Sequence, residues 1–141
     1  MSREIKFRAW LKEEKKMVNV ETIDFTDKSM QHLEKNEIID SYLLRRVVFE
    51  DVEIMQYTGL KDKNGKEIYE GDIIKYKFPY DRRLNHISPV TFLETQASFG
   101  LKDIYGNEIP LYRITANNYF EVIGNIYENK NLLATKEELW T

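Results

Sequence analysis

The sequence predicts a small α+β protein in which antiparallel strands dominate and helix is a minor component. Several short segments alternate apolar and polar residues with a period of two, which is the spacing of a strand with one buried face. The dipeptide Asn64-Gly65 lies between two such segments and is the strongest short signal for a β-hairpin. Aromatic residues make up 13% of the chain, and aromatic side chains favour strands. Short strands separated by Gly and Asp turns are typical of a small β-barrel.

The N-terminal segment predicts a hairpin. Residues 5–10 alternate apolar with basic or polar side chains, so Ile5, Phe7 and Ala9 are expected to point inward. The charged residues 12–16 are expected to form a solvated turn, and residues 17–25 a returning strand.

Residues 27–50 are compatible with two interpretations. A short helix that begins after Asp27 or Ser29 is one of them, because both residue types cap helices well. A pair of strands built on the apolar runs at 38–39 and 42–44 is the other. With the helical interpretation, residues 1–51 form a hairpin plus helical segment packed on a barrel that occupies residues 52–141.

The second part of the chain predicts a series of strands. Alternation over residues 51–57 leaves two choices for the inward face, Val52 with Ile54 or Met55 with Tyr57. Further strands are predicted at 73–78, 90–95, 111–115 and 121–127, with an exposed loop over 78–86 and a short terminal helix capped by Thr135 and Glu138.

The turns carry most of the remaining local information. A type I′ turn at Asn64-Gly65 requires positive φ at both residues, and Asp72 after Gly71 is expected to brace a second turn. Residues 60–68 and 101–109 share the residue type at six of nine positions and both resemble hairpin ends. An internal duplication and an independent origin of similar turn chemistry both explain this echo, and the second is favoured.

Composition excludes several classes of protein. There is no Cys, which excludes disulfides, thiolate nucleophiles, Cys-ligated zinc and iron–sulfur clusters. The formal charge of -3 gives no long-range attraction to nucleic-acid phosphates. Neither a membrane-spanning apolar run nor a signal peptide is evident, so we expect a cytoplasmic protein with no membrane partner.

Catalytic chemistry has little support. Glu67, Glu70 and Asp72 are close in sequence and suggest a metal site or an acid–base pair, but Asp at turns more often braces the backbone. His32 and His86 are the candidate general bases near neutral pH, and neither stands in a metal-ligand spacing or beside an evident nucleophile. We therefore predict a protein that is not an enzyme, with no catalytic, metal-binding or cofactor-binding residue.

Binding is the favoured type of function. Protein interaction or self-association through an exposed strand edge is the main hypothesis, with an unknown protein or a second copy as the partner. The alternative is single-stranded nucleic-acid binding, in which bases stack on aromatic side chains beside cations. The candidate binding residues are Tyr76, Phe78, Tyr80, Arg82 and Arg83. Alternation also predicts the opposite arrangement, with the aromatic side chains in the core and the cations outside.

Three blocks of sequence resemble the YopX family of phage and prophage proteins. They are residues 3–10 (REIKFRAW), the central residues 55–62 (MQYTGLKD) and 64–73 (NGKEIYEGDI), and residues 122–129 (VIGNIYEN). The chain departs from the family at Leu11, where Asp is common, and at residues 130–131, where Pro-Glu is common. The resemblance implies an SH3-like barrel core and an accessory protein of unknown activity in a bacterial host cell.

Overall fold

The computed structural model shows a mostly antiparallel β protein with very little helix. It describes residues 3–78, 81–102, 106–113 and 119–133, without the side chains of residues 78, 81–84 and 113. These residues form twelve strands whose pairings are all antiparallel. The predicted dominance of antiparallel strands is therefore confirmed. Within these ranges no helix has the length and apolar character needed to cross a bilayer.

The chain divides into two compact units. One is Glu4–Gln56, and the other is Tyr57–Thr141 together with Met1–Arg3. The chain passes from one unit to the other within a single strand, β6. The strands of the first unit are β1 (Phe7–Leu11), β2 (Lys16–Asn19), β3 (Thr22–Asp24), β4 (Ser29–Asn36), β5 (Ser41–Val48) and the first half of β6 (Val52–Lys61).

The predicted N-terminal hairpin is present, but its returning strand, predicted over residues 17–25, ends at Asn19. Strand β1 pairs with β2 on one side and with the first half of β6 on the other, and β3, β4 and β5 form a separate three-stranded sheet. Polar residues 12–15 form the turn, in which Lys15 adopts a φ of 55°. Ile5 precedes the strand and is 60% exposed, contrary to the inward orientation predicted for it. The apolar core of this unit consists of Ala9, Leu11, Met30 and Val52.

The helical segment predicted within residues 27–50 is wrong. The strands β4 and β5 occupy most of this region, and helix is limited to a 3₁₀ turn at Phe49–Asp51. Met30 and His32 are buried two residues apart, which is the spacing of one strand face and not of a helix. Asn36 ends β4 by accepting the N–H groups of Ile38 and Ile39, at 2.9 and 3.4 Å, and so makes the reversal that a helix would not contain.

The second unit contains a five-stranded sheet that curls into a half-barrel. Its strands follow the order β11-β10-β9-β8-β12, and β7 pairs with the second half of β6. The strand bounds are β7 (Glu67–Tyr69), β8 (Asp72–Phe78), β9 (Asp81–Leu93), β10 (Ser98–Lys102), β11 (Glu108–Pro110) and β12 (Phe120–Asn125). The core of this unit is built from Ile68, Ile74, Tyr76, Val90, Leu101, Leu111 and Phe120.

Two predicted elements of this unit differ from the structure. The loop predicted over residues 78–86 is wrong, because Phe78 already pairs with Asp81 and β9 runs on as a strand of 13 residues. The strand predicted at 111–115 is also wrong in its described part, where Leu111–Arg113 forms a 3₁₀ turn. The terminal helix predicted to be capped by Thr135 and Glu138 lies outside the described residues.

Both faces of strand β6 carry buried side chains, although the alternation in the sequence left open which of the two would point inward. Val52 is buried in the core of the first unit and Ile54 packs against the same cluster. Met55 and Tyr57 are buried as well, on the opposite face of the strand. The period-two pattern therefore marks a strand that is covered on both sides.

The hairpin between β6 and β7 forms where predicted, but with a different turn. Gly65 has a φ of 81°, whereas Asn64 does not have the positive φ that a type I′ turn requires. The loop is held instead by the carboxylate of Asp62, which is 2% exposed. Its Oδ1 accepts the N–H groups of Asn64 and Lys66, each at 2.9 Å, and its Oδ2 accepts that of Val122 on β12 at 2.9 Å.

The two segments that echo each other in sequence both end hairpins. Lys61 pairs with Glu67 between β6 and β7, and Lys102 pairs with Glu108 between β10 and β11. The glycines at the same position of each segment, residues 65 and 106, have φ values of 81° and 84°. The similarity therefore extends to the backbone, and duplication remains one of two explanations for it.

Candidate functional site

Tyr76 lies in the core of the second unit and is 1% exposed. Its ring stacks on His86 with centroids 5.3 Å apart, and meets Phe120 edge-on at 5.8 Å. The hydroxyl group lies 3.3 Å from Oγ of Ser88. A nucleic-acid base therefore cannot reach this ring. The position of Tyr76 agrees with the interpretation in which alternation places the aromatic side chains in the core. The side chain of Phe78 and the residues or side chains of Tyr80, Arg82 and Arg83 lie outside the described part of the chain.

Asp72 braces a turn. It is 2% exposed, and its Oδ2 accepts the N–H of Tyr69 at 2.8 Å across the turn in which Gly71 has a φ of 88°. Among the described side chains, no group of three or more His, Asp or Glu is placed to hold a metal ion. The suggested cluster of Asp72 with Glu67 and Glu70 therefore does not gather around one point.

His32 is buried at the base of the β4–β5 hairpin. It is 1% exposed, and its Nδ1 lies 3.2 Å from the carbonyl oxygen of Leu33. Its Nε2 has no hydrogen-bond partner among the described residues. An imidazole enclosed in this way has no contact with solvent through which a substrate would reach it, which favours a structural role.

The outer half of the β4–β5 hairpin exposes an unusual number of apolar side chains. Ten large apolar side chains are exposed among the described residues, and six of them lie between residues 33 and 44. We call these six the apolar tip: Leu33, Ile38, Ile39, Tyr42, Leu43 and Leu44. Scattered exposed apolar residues are normal, whereas a contiguous group marks an interaction surface.

The strand register explains why the tip is exposed on both faces. Leu33 pairs with Leu44, and Tyr42 lies on the same face two residues away. Leu43 points to the opposite face, where Glu34 pairs with it. A third strand, β3, reaches only as far as Gln31, and beyond that point β4 and β5 pair with no other described strand. The apolar tip is therefore a two-stranded ribbon.

The outer edge of β5 is open. Among the described strands β5 pairs with β4 alone, so the backbone N–H and C=O groups of its other edge are available to another chain. Charges differ along this edge: Asp40 lies at the turn, and Arg45 and Arg46 lie towards the base. Arg46 donates to Asp27 through Nε at 2.7 Å, while Arg45 forms an ion pair with Glu14.

The ion pair between Asp27 and Arg46, at the base of the hairpin, lowers the pKa of one group and raises that of the other. The hydrogen bond from Arg46, followed by that from Ser29, lowers the pKa of the Asp27 carboxyl below its ordinary value. The same hydrogen bond, which Arg46 donates to Asp27, raises the pKa of Arg46. Both side chains are about half exposed, at 47% for Asp27 and 51% for Arg46, so these shifts describe a surface pair.

Sequence reasoning did not find the apolar tip as a site. The signal was present, because residues 38–39 and 42–44 are consecutive apolar residues with no alternation. Consecutive residues of a strand point to opposite faces, so such runs on a hairpin place apolar groups on both sides at once. That pattern predicts either a strand buried on both faces or an exposed surface that a partner covers.

Comparison with known proteins identifies the family. A family model described as YopX protein matches residues 6–134. The crystal structure of protein EF1440 from Enterococcus faecalis is similar, with a TM-score of 0.63 and 29% sequence identity over 94% of this chain and 99% of that one. No curated protein is significantly similar to the chain. The family match spans nearly all of the sequence, and the chain therefore belongs to the YopX family.

Proposed function

We propose that this protein acts by binding and not by catalysis, and that the apolar tip with the open edge of β5 is its binding surface. The partner we propose is a second copy of the chain, paired edge to edge through β5. The observation that carries this proposal is the group of six exposed apolar side chains on a ribbon with an unpaired edge.

Burial of the apolar tip by a partner should be energetically favourable. Fully burying a Leu or Ile side chain contributes about 1.5–3 kcal/mol relative to exposure. Leu43 and Leu44 are each about half exposed, at 54% and 53%, so covering them would contribute about 1 kcal/mol apiece. A two-stranded ribbon is also only marginally stable by itself, and an added strand supplies the missing backbone hydrogen bonds.

The charge pattern of β5 selects a second copy as the occupant. In an antiparallel pairing with Leu43 on the two-fold axis, Tyr42 lies opposite Leu44 of the other copy. The same register places Asp40 opposite Arg46 of the other copy. Apolar pairs and opposite charges across neighbouring strands each contribute about 0.2–1 kcal/mol, and two-fold symmetry repeats each pair. Arg46 already donates to Asp27 through one N–H and keeps further N–H groups for this contact.

Light scattering over micromolar to millimolar concentration tests the proposal. We expect wild type to form a dimer, and Leu43→Lys to be a monomer because two lysines would meet on the axis. Tyr112→Lys is the matched control, since Tyr112 is 73% exposed but lies outside the hairpin, and this variant should dimerise as wild type does.

A second variant tests the register itself. Asp40→Asn removes the charge while Asn tolerates the φ of 48° at this position, so the fold should be kept. We expect dimerisation to weaken about threefold in low salt and less in high salt. A strict monomer of wild type at millimolar concentration would overturn self-association and leave a different protein as the partner.

The resemblance to phage and prophage proteins supports three further proposals. We propose that the curled sheet of the second unit is the core of an SH3-type barrel, that the protein is a phage or prophage accessory protein, and that it acts in the cytoplasm of a bacterial host. Short antiparallel strands with tight Gly turns support the first of these.

A further inference from the structure

A cavity of about 270 Å³ in the second unit is lined by cations. Among the described residues that line it, three lysines and one glutamate give a local charge of +2, although the chain as a whole carries -3. The residues that line it include Lys63, Lys75, Lys77, Asn85, Tyr119 and Glu121. The cavity is thus a local positive site on a mildly acidic protein.

Strand geometry brings two of the lysines together. Lys75 and Lys77 lie two residues apart on β8, and Ile74 and Tyr76, which alternate with them, are buried in the core. The two lysines therefore point to the opposite face of the sheet, with their Cα atoms about 6.5–7 Å apart. Neither ammonium group forms an ion pair or hydrogen bond with another side chain that the structure describes.

Lys63 is placed beside them by the hairpin loop. Its backbone N–H donates to the carbonyl oxygen of Phe120 at 2.9 Å, which ties the loop to β12. Its Nζ lies 3.4 Å from Oε2 of Glu121, and Glu121 pairs directly with Lys75 across the strands. One carboxylate thus lies between two of the lysines and offsets only part of their charge.

We propose that this cavity binds the phosphate group of a nucleotide, either free or within a single-stranded nucleic acid. Lys75 and Lys77 supply the cations, and Lys63 is the third. Lysine ammonium groups are general phosphate ligands, and single-strand binders combine such cations with aromatic side chains in one groove. Tyr119 provides the aromatic wall, and Asn85 an amide that hydrogen-bonds a base or sugar.

The size of the cavity limits the ligand. Pockets for small ligands measure about 300–1,000 Å³, and this cavity, at about 270 Å³, is just below that range. It has room for about one nucleotide. The site uses residues of the second unit only, so it is independent of the self-association proposed for β5.

Fluorescence anisotropy with a short labelled oligothymidine, with thymidine monophosphate as competitor, tests the proposal on the full chain. We expect Lys75→Ala and Lys77→Ala each to weaken binding about tenfold and to reduce the salt slope by about one. Glu121→Gln should bind more tightly, because it removes the one negative charge among the described residues that line the cavity. Lys102→Ala changes an exposed lysine on β10 of the same sheet and should bind as wild type does.

The two probes distinguish the source of the phosphate. Binding of the monophosphate with an affinity equal to that of the oligomer assigns the site to free nucleotides, and binding of the oligomer alone assigns it to single strands. Thermal melting of each variant checks that the fold is kept. The proposal is overturned if neither probe binds at low salt, or if Lys102→Ala weakens binding as much as Lys75→Ala does.

Discussion

Replacing Asp62 with Ala should destabilise the second unit substantially. The buried carboxylate accepts three backbone N–H groups, from Asn64, Lys66 and Val122, each at 2.9 Å. A buried donor that loses its acceptor costs about 1–3 kcal/mol, and the half-buried N–H of Val122 falls in that range. The N–H groups of the exposed Asn64 and Lys66 regain water, so each contributes less, about 0.5–1 kcal/mol. The expected total loss is about 2–5 kcal/mol.

Urea unfolding of wild type and Asp62→Ala measures this loss, and Asp62→Asn is the matched control. An amide presents its one carbonyl oxygen either to the loop or to Val122, but not to both, so Asp62→Asn should lose about half as much stability. Hydrogen exchange of the Val122 amide should accelerate in both variants if the oxygen stays with the loop. A change below about 0.5 kcal/mol for Asp62→Ala would refute the role assigned to this carboxylate.

Three further predictions concern one turn, one glycine of strand β12 and one surface pair. Gly71→Val forces a β-branched residue into a φ of 88° and should cost at least about 1 kcal/mol, so an unchanged melting temperature would contradict the turn. Gly124→Ala places a Cβ 2.5 Å from Oδ1 of Asn129 and should cost about 1–3 kcal/mol in chemical denaturation, whereas a stability equal to wild type would mean that Asn129 moves freely. Because Arg46 lowers the folded-state pKa of Asp27, this pair stabilises the fold above the ordinary carboxyl pKa and is lost as pH falls through the lowered one. Asp27→Asn should therefore flatten the acid limb of the stability–pH curve, and an unaltered limb would exclude the pair as its cause.

The sequence predicted the strands whose local and tertiary preferences agree. In β1, alternation, a polar turn and burial of Ala9 all favour the same register, so the strand was predictable. The helix expected to begin after Asp27 or Ser29 is absent because capping residues such as Asp27 are also common in turns, and the pairing of β4 with β5 outweighs local helix preference. The type I′ turn predicted at Asn64 is absent because the Asp62 carboxylate holds the loop from outside the dipeptide, by accepting the N–H two residues further on, as Asp often does in turns.

The candidate sites were less predictable than the fold. Tyr76 was chosen for its neighbours in sequence, yet alternation places it in the core and places Lys75 and Lys77 on the other face. Lys63 joins them only because its loop is bonded to β12, nearly sixty residues later in the chain. A contact at that sequence separation is a tertiary fact, and a motif or a spacing along the chain does not encode it.

The ribbon formed by the outer halves of β4 and β5 also has a consequence for proteolysis that holds whatever molecule binds it. Beyond Gln31 neither strand pairs with a further described strand, and strands with few anchoring contacts open locally before the rest of a protein does. Proteases should accordingly nick the free chain near Ile38 and Ile39 first, since these side chains are 93% and 61% exposed. Any molecule that binds the ribbon in the cell should slow that cleavage, so the rate of cleavage would show how much of the protein has its ribbon bound.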